Sequence, residues 1–214
     1  MSPHPDPWPL RHLVLRTPRL ELRPEDDAGL LELVDVAHAG IHDAAGTPFL
    51  HPWTDVPADE LGPNTLRHFW SQRAAILLDR WVLNFLVRVD GAVVGTQALS
   101  AEQFATAREV GSGSWLGRVH QGHGYGVEMR AAVLLLAFDH LGARTARSEA
   151  FVDNPASLRV SEKLGYLPDG TASQVRRGQR VVEQRVLLTP ETFIRPGWAL
   201  RVDGFEDCRR QLGA

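Results

Sequence analysis

The segment Gln121-Gly-His-Gly-Tyr-Gly126 carries the strongest chemical signal in the chain. Its three glycines alternate with larger residues, so the backbone can approach a ligand closely and adopt positive φ angles. An Ala- and Leu-rich helix pattern, Tyr125–Leu141, starts inside the segment. The N-terminus of a helix offers unpaired N–H groups and a partial positive charge, which together bind phosphate oxygens. The segment therefore predicts either a pyrophosphate-binding loop or a tight strand-to-helix turn without a ligand.

Two common phosphate motifs are excluded by the spacing. A Walker A loop needs Gly-Lys-Ser/Thr, which is absent, and the dinucleotide motif G-x-G-x-x-G needs a glycine at 127, where Val127 stands. The spacing of Gln121, Gly124 and Gly126 instead fits Q/R-x-x-G-x-G/A. That pattern resembles the acyl-CoA pyrophosphate loop of the GNAT superfamily of N-acyltransferases.

A second group of motifs strengthens this resemblance. Asn154-Pro-Ala-Ser157, followed by Lys163-Leu-Gly-Tyr166, resembles the N-x-x-S…K-L-G-[FY] signature of the GNAT branch that acetylates ribosomal-protein N-termini. Gly113–Gly117 resembles the fourth strand of that branch, and Leu15–Arg23 resembles its first strand. Nearly end to end, including the tail 201–208, the chain is also similar to a mycobacterial GNAT branch that depends on succinyl-CoA. The resemblance implies acetyl-CoA or succinyl-CoA as the cosubstrate.

The resemblance also implies the fold and the cofactor site. We expect an α/β protein with the GNAT fold, in which a mixed central sheet of about seven strands is flanked by helices. Its fourth and fifth strands would be splayed and would hold the acyl-CoA between them. The residues that this assignment places at the cofactor are Leu116, Arg118, Val119, Gln121, Gly122, His123, Gly124, Tyr125, Gly126, Asn154 and Ser157.

Acyl transfer from a thioester to an amine requires a neutral amine, donors for the oxyanion and a proton for the leaving thiolate. We expect the backbone N–H groups of Leu116 to Val119 to be the oxyanion donors. The resemblance implies that Ser157 protonates the leaving sulfur. The alternative is a purely structural role, because a serine in the first turn of a helix can form its hydrogen bond with the backbone instead. Asn154, which precedes Pro155, can likewise serve as a helix cap, with or without a contact to the pantetheine.

The general base is the least determined part of the site. Glu109, His120, His123, Glu149 and Asp153 all lie near the predicted site along the sequence. We predict Glu109 as the base. The alternative is a water path lined by carbonyl groups, with no single base.

A metal centre is not predicted. His38 and His42 are four residues apart and Asp43 follows, which on a helix would resemble a pair of metal ligands. Gly40 weakens that helix, and no third ligand follows at a suitable spacing. We interpret the pair as exposed residues or as part of the acceptor site.

Length and composition restrict the class of protein. The 214 residues suit one domain, and the net charge of −3 argues against broad binding to nucleic acid. Cys208 is the only cysteine, which excludes an internal disulfide and suits a reducing compartment. The start of the chain lacks the apolar core of a signal peptide, and the longest apolar run, Ala131–Phe138, is too short to span a membrane. We expect a cytoplasmic protein.

Periodicity predicts the order of elements and three segments of the chain. Residues 1–12 form a Pro-rich extension, 13–190 form the acyltransferase domain, and 191–214 form an apolar tail. We expect the tail to pack on its own domain or at the interface of a homo-oligomer. The predicted elements include a strand over 13–23, a loop over 38–62, a helix over 64–79 capped by Asn64, a hairpin turn at Asp90-Gly91, strands over 110–120 and 144–152, and a basic turn over 174–180.

These expectations combine into one function and one alternative. The protein would transfer an acyl group to a primary amine by direct attack in a ternary complex, without a covalent enzyme intermediate. The acceptor would be a protein N-terminus, a lysine or a small amine. The alternative is a CoA-binding sensor or interaction module that keeps the fold but has lost turnover.

Overall fold

The computed structural model describes residues 4–43 and 46–214. A single sheet dominates the fold, in the order β7-β8-β6-β5-β4-β3-β2-β1-β9. Its strands are β1 (Val14–Arg16), β2 (Glu21–Pro24), β3 (Arg80–Val89), β4 (Ala92–Glu102), β5 (Glu109–Leu116), β6 (Thr145–Phe151), β7 (Leu167–Arg176), β8 (Gln179–Leu188) and β9 (Arg201–Asp203).

Helices cover both faces of the sheet. One face packs against α1 and α2, and Leu86 and Val93 on this face belong to a cluster of buried residues shared with these two helices. The other face packs against α4, where Phe85 and Val110 belong to the main core. The helices are α1 (Asp27–His38), α2 (Ala58–Ala74), α3 (Phe104–Ala107), α4 (Tyr125–Leu135, continued by a π-helical segment Leu136–Leu141), α5 (Pro155–Lys163) and α6 (Phe205–Cys208).

The central feature of the sheet is a fork between β5 and β6. These parallel strands pair only at Glu109↔Thr145, Val110↔Ala146 and Gly111↔Arg147. Beyond Gly111 they diverge, while β5 stays paired with β4 up to Leu116 and β6 stays paired with β8 up to Phe151. The expected pair of splayed strands is therefore present.

The sheet has nine strands where the sequence predicted about seven. The predicted strand over 13–23 is two strands, because the chain turns around Pro18 and β1 pairs back on β2. A further strand, β9, comes from the tail and pairs with β1. The diverging strands are consequently the fifth and sixth in this chain.

Two other predicted boundaries were wrong. Helix α2 begins after Pro57, so Asn64 lies inside the helix and does not cap it; Asp59 and Glu60 occupy the first turn, where the helix dipole favours acids. The predicted basic turn over 174–180 is mostly strand. The reversal needs only Arg177 and Gly178, whose φ angles of 49° and 72° suit a two-residue hairpin turn.

The tail lies on its own domain. Phe205 and Leu212 are buried in the main core, and the Trp81 indole N–H donates to the Leu212 carbonyl at 3.2 Å. A contact between subunits through this tail stays a prediction.

No helix within residues 4–43 and 46–214 is both long and apolar enough to cross a membrane.

Candidate functional site

The glycine loop has the geometry of an anion site. Gly122 and Gly124 have φ angles of +80° and +83°, and Gly124 forms the N-cap of α4. Among residues 4–43 and 46–214, no side chain makes a capping hydrogen bond to this helix. The N–H groups of Tyr125, Gly126 and Val127 are therefore open in the first turn, since a helix gives its first N–H groups no internal partner. This arrangement suits the oxygens of a pyrophosphate.

A buried carboxylate holds the loop in place. Glu128, in the first turn of α4, accepts hydrogen bonds from the Thr17 hydroxyl at 2.6 Å, the Arg19 backbone N–H at 3.1 Å and the Arg19 Nε–H at 2.7 Å. Arg19 also donates through Nη1 to the carbonyl of His123 at 2.9 Å. The link between β1 and β2 thus fixes both the loop and the helix start.

Arg19 also supplies a cation beside the loop. Its guanidinium lies 4.9 Å from the centre of the Tyr125 ring, and that ring stacks on His123 at 5.6 Å. Sequence reasoning missed Arg19 as a member of the site, because Arg19 belongs to a different element from the glycine loop.

Gln121 has a structural role in this loop. Its side-chain amide donates to the carbonyls of Ile41 and Leu116, at 2.8 and 2.9 Å. It therefore ties the end of β5 to the chain that follows α1, and these bonds use both amide protons. A contact of the Gln121 side chain with phosphate would have to break one of them.

Two of the predicted oxyanion donors are already occupied. The Gly117 N–H donates to the Val94 carbonyl and the Arg118 N–H donates to the Gly40 carbonyl, each at 2.9 Å. Neither amide can serve an oxyanion without breaking these bonds, which argues against that part of the prediction. The Arg118 guanidinium pairs with Asp43 at 2.8 Å, the Val119 side chain is exposed, and Leu116 is buried in the core.

A buried polar cluster lies inside the fork, on the side of α4. Ser112 and Ser148 are the first residues beyond the last paired positions, and the Ser148 hydroxyl donates to the Ser112 carbonyl at 3.2 Å. From α4, Arg130 donates to the hydroxyl of Ser161 at 2.9 Å and makes a long contact of 3.5 Å with that of Ser114.

Arg130 is an unusual member of this cluster. It is 4% exposed, and no carboxylate in the described part of the chain pairs with it. Burial lowers the pKa of its guanidinium and raises the pKa of the nearby Tyr166 phenol. The Arg130 Nε, the Tyr166 hydroxyl and the Ser112 hydroxyl make no hydrogen bond of good geometry among the described residues, although the Ser112 hydroxyl lies close enough to lower the pKa of Tyr166. Buried polar groups that are poorly satisfied favour an anion or water beside them.

The opposite side of the fork is a cleft lined by aromatic residues. Trp115 on β5 lies 5.7 Å from Trp53, in the segment between α1 and α2. Phe151 on β6 lies 4.4 Å below the Arg176 guanidinium, which donates to the Thr47 carbonyl at 2.8 Å. The tip of the β7–β8 hairpin and the α1–α2 segment therefore meet over this cleft.

Glu149 is an exposed carboxylate on the same face of the sheet as these aromatic residues. Alternate residues of a strand share a face, so Glu149 lies on the side of Phe151, just past the point where the fork opens. Glu183 on β8 is paired with Phe151 and is buried on the same face. Desolvation, and secondarily the charge of Glu183, raises the pKa of Glu149. A raised pKa makes this carboxylate a stronger base than an ordinary glutamate.

Glu109, the predicted base, lies at the wrong end of the fork. Seven residues of extended strand place it ~23 Å from Leu116, at the closed end where β5 and β6 still pair. Its carboxylate accepts from the Thr145 hydroxyl at 3.0 Å and pairs with Arg147 at 2.9 Å. Position and partners both argue against a catalytic role.

Asn154 and Ser157 occupy the start of α5. The Asn154 side chain accepts a hydrogen bond from the Ser157 N–H at 3.2 Å, so it caps the helix. This is one of the two roles that the sequence suggested for Asn154. The half-buried Ser157 hydroxyl makes no hydrogen bond within residues 4–43 and 46–214. It is therefore free to donate to a ligand.

Comparison with known proteins agrees with this geometry. The sequence pattern of the acetyltransferase (GNAT) domain matches residues 19–167, which is more than half of the chain. The chain belongs to the GNAT acetyltransferase family. The fork, the glycine loop and the capped α5 are thus parts of a GNAT domain.

Solved structures share the GNAT fold at low sequence identity. RimJ of Mycobacterium smegmatis, in complex with CoA-disulfide, is 17% identical, with a TM-score of 0.71 and 94% of each chain covered. RimL, a ribosomal L7/L12 alpha-N-protein acetyltransferase in complex with coenzyme A, is 17% identical, with a TM-score of 0.62, 81% of this chain and 95% of that chain covered. A GCN5-related N-acetyltransferase from Brucella melitensis is 20% identical, with a TM-score of 0.67, 84% of this chain and 79% of that chain covered.

We expect the substitution Gly124→Ala to weaken coenzyme A binding about tenfold. The φ of +83° at Gly124 costs an alanine roughly 1–2 kcal/mol, and an added Cβ would lie 3.3 Å from the Arg19 guanidinium. The matched control is Gly197→Ala in the tail, where the added Cβ meets nothing within 4 Å among the described residues and φ is not positive. Calorimetric titration with coenzyme A compares the two, and equal affinities would contradict a role for this loop.

Proposed function

We propose that this protein transfers an acyl group, acetyl or succinyl, from acyl-CoA to a primary amine. The observation that carries the proposal is the fork between β5 and β6. The N-terminus of α4, which has no side-chain cap among the described residues, lies at its open end, and the Glu149 carboxylate lies on the opposite face. The pyrophosphate would bind the first turn of α4, and the pantetheine would lie between the diverging strands. The amine would approach from the aromatic cleft.

The reaction follows from these positions. Glu149 takes a proton from the ammonium group of the acceptor, directly or through a water molecule, and leaves a neutral amine. The nitrogen then attacks the thioester carbon, and the C–S bond breaks as the C–N bond forms. The nitrogen gives up its second proton to solvent water, and the thiolate of coenzyme A receives a proton through the Ser157 hydroxyl, which takes one from solvent as it gives one up. The products are an amide and free coenzyme A, with no covalent enzyme intermediate.

We expect a small effect from Ser157→Ala. Because a thiol of pKa about 8.5 is a tolerable leaving group, loss of this donor should lower kcat about tenfold, below the usual range for a general acid. Rapid-quench measurement of amide formation checks this value. Ser71→Ala, at an exposed serine of α2 whose hydroxyl donates to the His68 carbonyl, is the control. Equal rates for the two variants and the parent would remove Ser157 from the mechanism.

Two donors are compatible with the fork. The GNAT family name and the neighbouring acetyltransferases favour acetyl-CoA. The poorly satisfied donors of Arg130, Tyr166 and Ser112 favour an acyl group that ends in a carboxylate, because a buried cation without a counter-ion is stabilised by an anionic ligand. We therefore propose succinyl-CoA as the preferred donor and acetyl-CoA as an accepted one.

The acceptor is a primary amine of a protein N-terminus, a lysine or a small molecule. The description of the RimL neighbour as an alpha-N-protein acetyltransferase favours the first of these. A homo-oligomer through the tail is also part of the proposal, and the size of the intact protein in solution tests it.

The function is tested by thiol release from acetyl-CoA and succinyl-CoA in the presence of an amine panel. The panel contains a peptide with a free N-terminus, N-acetyl-lysine amide and small polyamines. We expect amine-dependent release with at least one acceptor, accompanied by the amide product in mass spectrometry. Binding of both thioesters without any turnover would favour a CoA-binding sensor, and absence of binding would overturn the whole assignment.

A further inference from the structure

Large apolar side chains are exposed together around the C-terminal end of α2. Trp70, Leu77 and Leu78 are 45%, 56% and 63% exposed. Trp70 follows the buried Phe69, and because one residue turns a helix by about 100°, its side chain lies outside the packed face. Leu77 and Leu78 lie in the turn between α2 and β3. Apolar side chains that are exposed as a group, and not singly, indicate an interaction site.

Two pockets join these side chains into one surface. A pocket of about 750 Å³ lies beside Trp70 and Ala74, and a smaller pocket of about 290 Å³ lies beside Leu77 and Leu78. Trp8, from the N-terminal extension, lines both pockets, so the two pockets lie on either side of this residue. Trp8, Trp70, Ala74, Leu77 and Leu78 are together called the α2 surface.

The two ends of the α2 surface carry opposite charges. Asp26 and Asp27 line the larger pocket, and the Asp27 side chain is 72% exposed. Asp27 accepts hydrogen bonds from Trp70 and Arg73 through Oδ1, and its Oδ2 accepts none from residues 4–43 and 46–214. Arg210 is the charged residue of the smaller pocket, and it has no ion pair within the same residues.

Two arginines also line the larger pocket, but they do not cancel its negative charge. Arg11 pairs with Asp6 at 3.0 Å, and Arg73 pairs with Asp27 at 3.1 Å. Asp26, which caps α1 by accepting from a backbone N–H, adds a carboxylate that neither arginine neutralises. This end of the α2 surface therefore attracts a cation.

We infer that the α2 surface is the contact between two copies of this chain. In a two-fold dimer a surface meets the same surface of the partner, so a surface with an acidic end and a basic end is complementary to itself. A two-fold axis that crosses the surface near Ala74 would place each Arg210 against the partner's Asp27. The exposed tryptophan and leucine side chains would pack between these two charged contacts, as in an interface with an apolar centre and a polar rim.

The inference rests on the homo-oligomer that is part of the proposed function. It assigns the contact to the end of α2, the N-terminal extension and Arg210 of the tail. Acyl transfer does not depend on it, because the fork and the glycine loop are formed within one chain.

Leu78→Glu tests the apolar centre of the contact. Sedimentation equilibrium of the full-length parent should show a dimer that dissociates on dilution. A charge buried in the contact without a partner is costly, so the Kd of the Leu78→Glu dimer should rise at least about 100-fold. Val175→Glu is the matched control, because Val175 is 70% exposed on β7. Its Kd should stay within about twofold of the parent value.

Two charge reversals test the pairing of the ends. Arg210→Glu places like charges at both end contacts, and Asp27→Arg does the same with the opposite sign. Each variant alone should therefore dimerise at least about tenfold more weakly than the parent. Mixed in equal amounts, the two variants regain opposite charges at both contacts, so a heterodimer should form with about the affinity of the parent. Thermal unfolding checks that each variant is folded.

Three results would overturn the inference, and each is distinct from a failure of acyl transfer. If the parent is monomeric at every concentration, the surface serves a different partner and the proposed homo-oligomer falls with it. If folded Leu78→Glu dimerises like the parent, the oligomer uses another contact. If the two folded charge-reversal variants do not associate when mixed, the surfaces do not meet in the inferred orientation. Amine-dependent thiol release by the same proteins tests the enzymatic activity separately.

Discussion

Glu149→Gln is expected to lower kcat at least about 100-fold, in the range of effects measured for a general base. Glutamine keeps the size of the side chain but cannot accept a proton, so the acceptor would stay an ammonium ion. The affinity for acyl-CoA should not change, because Glu149 lies on the face opposite the buried cluster of α4. Steady-state kinetics with a saturating donor, together with calorimetric titration of coenzyme A, separates the two quantities.

Glu109→Gln is the matched control for this substitution. It removes the same charge at the closed end of the same fork, where the carboxylate pairs with Arg147. We expect kcat within about twofold of the parent, since that ion pair is exposed and weak. A large loss in Glu109→Gln with a small loss in Glu149→Gln would reverse the assignment. Equal small losses would favour the water path without a single base.

The pH profile gives an independent check of the base. Desolvation and Glu183 raise the pKa of Glu149 above its ordinary value. A base is active when unprotonated, so kcat/KM should rise with pH through this raised pKa and then level off. In Glu149→Gln the rising limb should disappear. In Glu183→Gln it should move to lower pH, because removal of the neighbouring charge favours ionisation of Glu149.

The fold could be predicted because its signals are local. The glycine loop, the helix that follows it and the Asp90-Gly91 turn each depend on residues within a few positions of one another. The same reasoning failed where a tertiary contact decides the outcome. Asn64 looks like a cap, but α2 begins earlier, and β7 and β8 extend through the predicted basic turn because Arg176 is held by Thr47 and Asp153.

The site was harder to predict than the fold because its members come from separate elements. Both Glu109 and Glu149 lie near the predicted site along the sequence, and only the register of β5 and β6 separates the closed end of the fork from the open end. Arg19 reaches the loop from the β1–β2 link. Arg130 appears in an ordinary helix pattern, and its lack of a counter-ion is visible only when the surrounding strands are present.

Arg130→Met is the second substitution for which we expect a large effect, here on the choice of donor. Loss of a buried charged partner of a carboxylate costs 2–5 kcal/mol, so the affinity for succinyl-CoA should fall at least about tenfold. The affinity for acetyl-CoA, which has no such carboxylate, should change little. Calorimetric titration of both thioesters into parent and variant measures the ratio directly.

The stability of this variant distinguishes a ligand site from a structural one. Replacing a buried, unpaired charge by an apolar side chain of similar volume is often neutral or stabilising, so Arg130→Met should not unfold at a lower temperature than the parent. Tyr166→Phe removes one further donor and should reduce the preference for succinyl-CoA more mildly. If Arg130→Met is instead strongly destabilised while the ratio of donor affinities is unchanged, the cluster serves the packing of α4 against α5. The preference for succinyl-CoA would then have no support from this part of the fork.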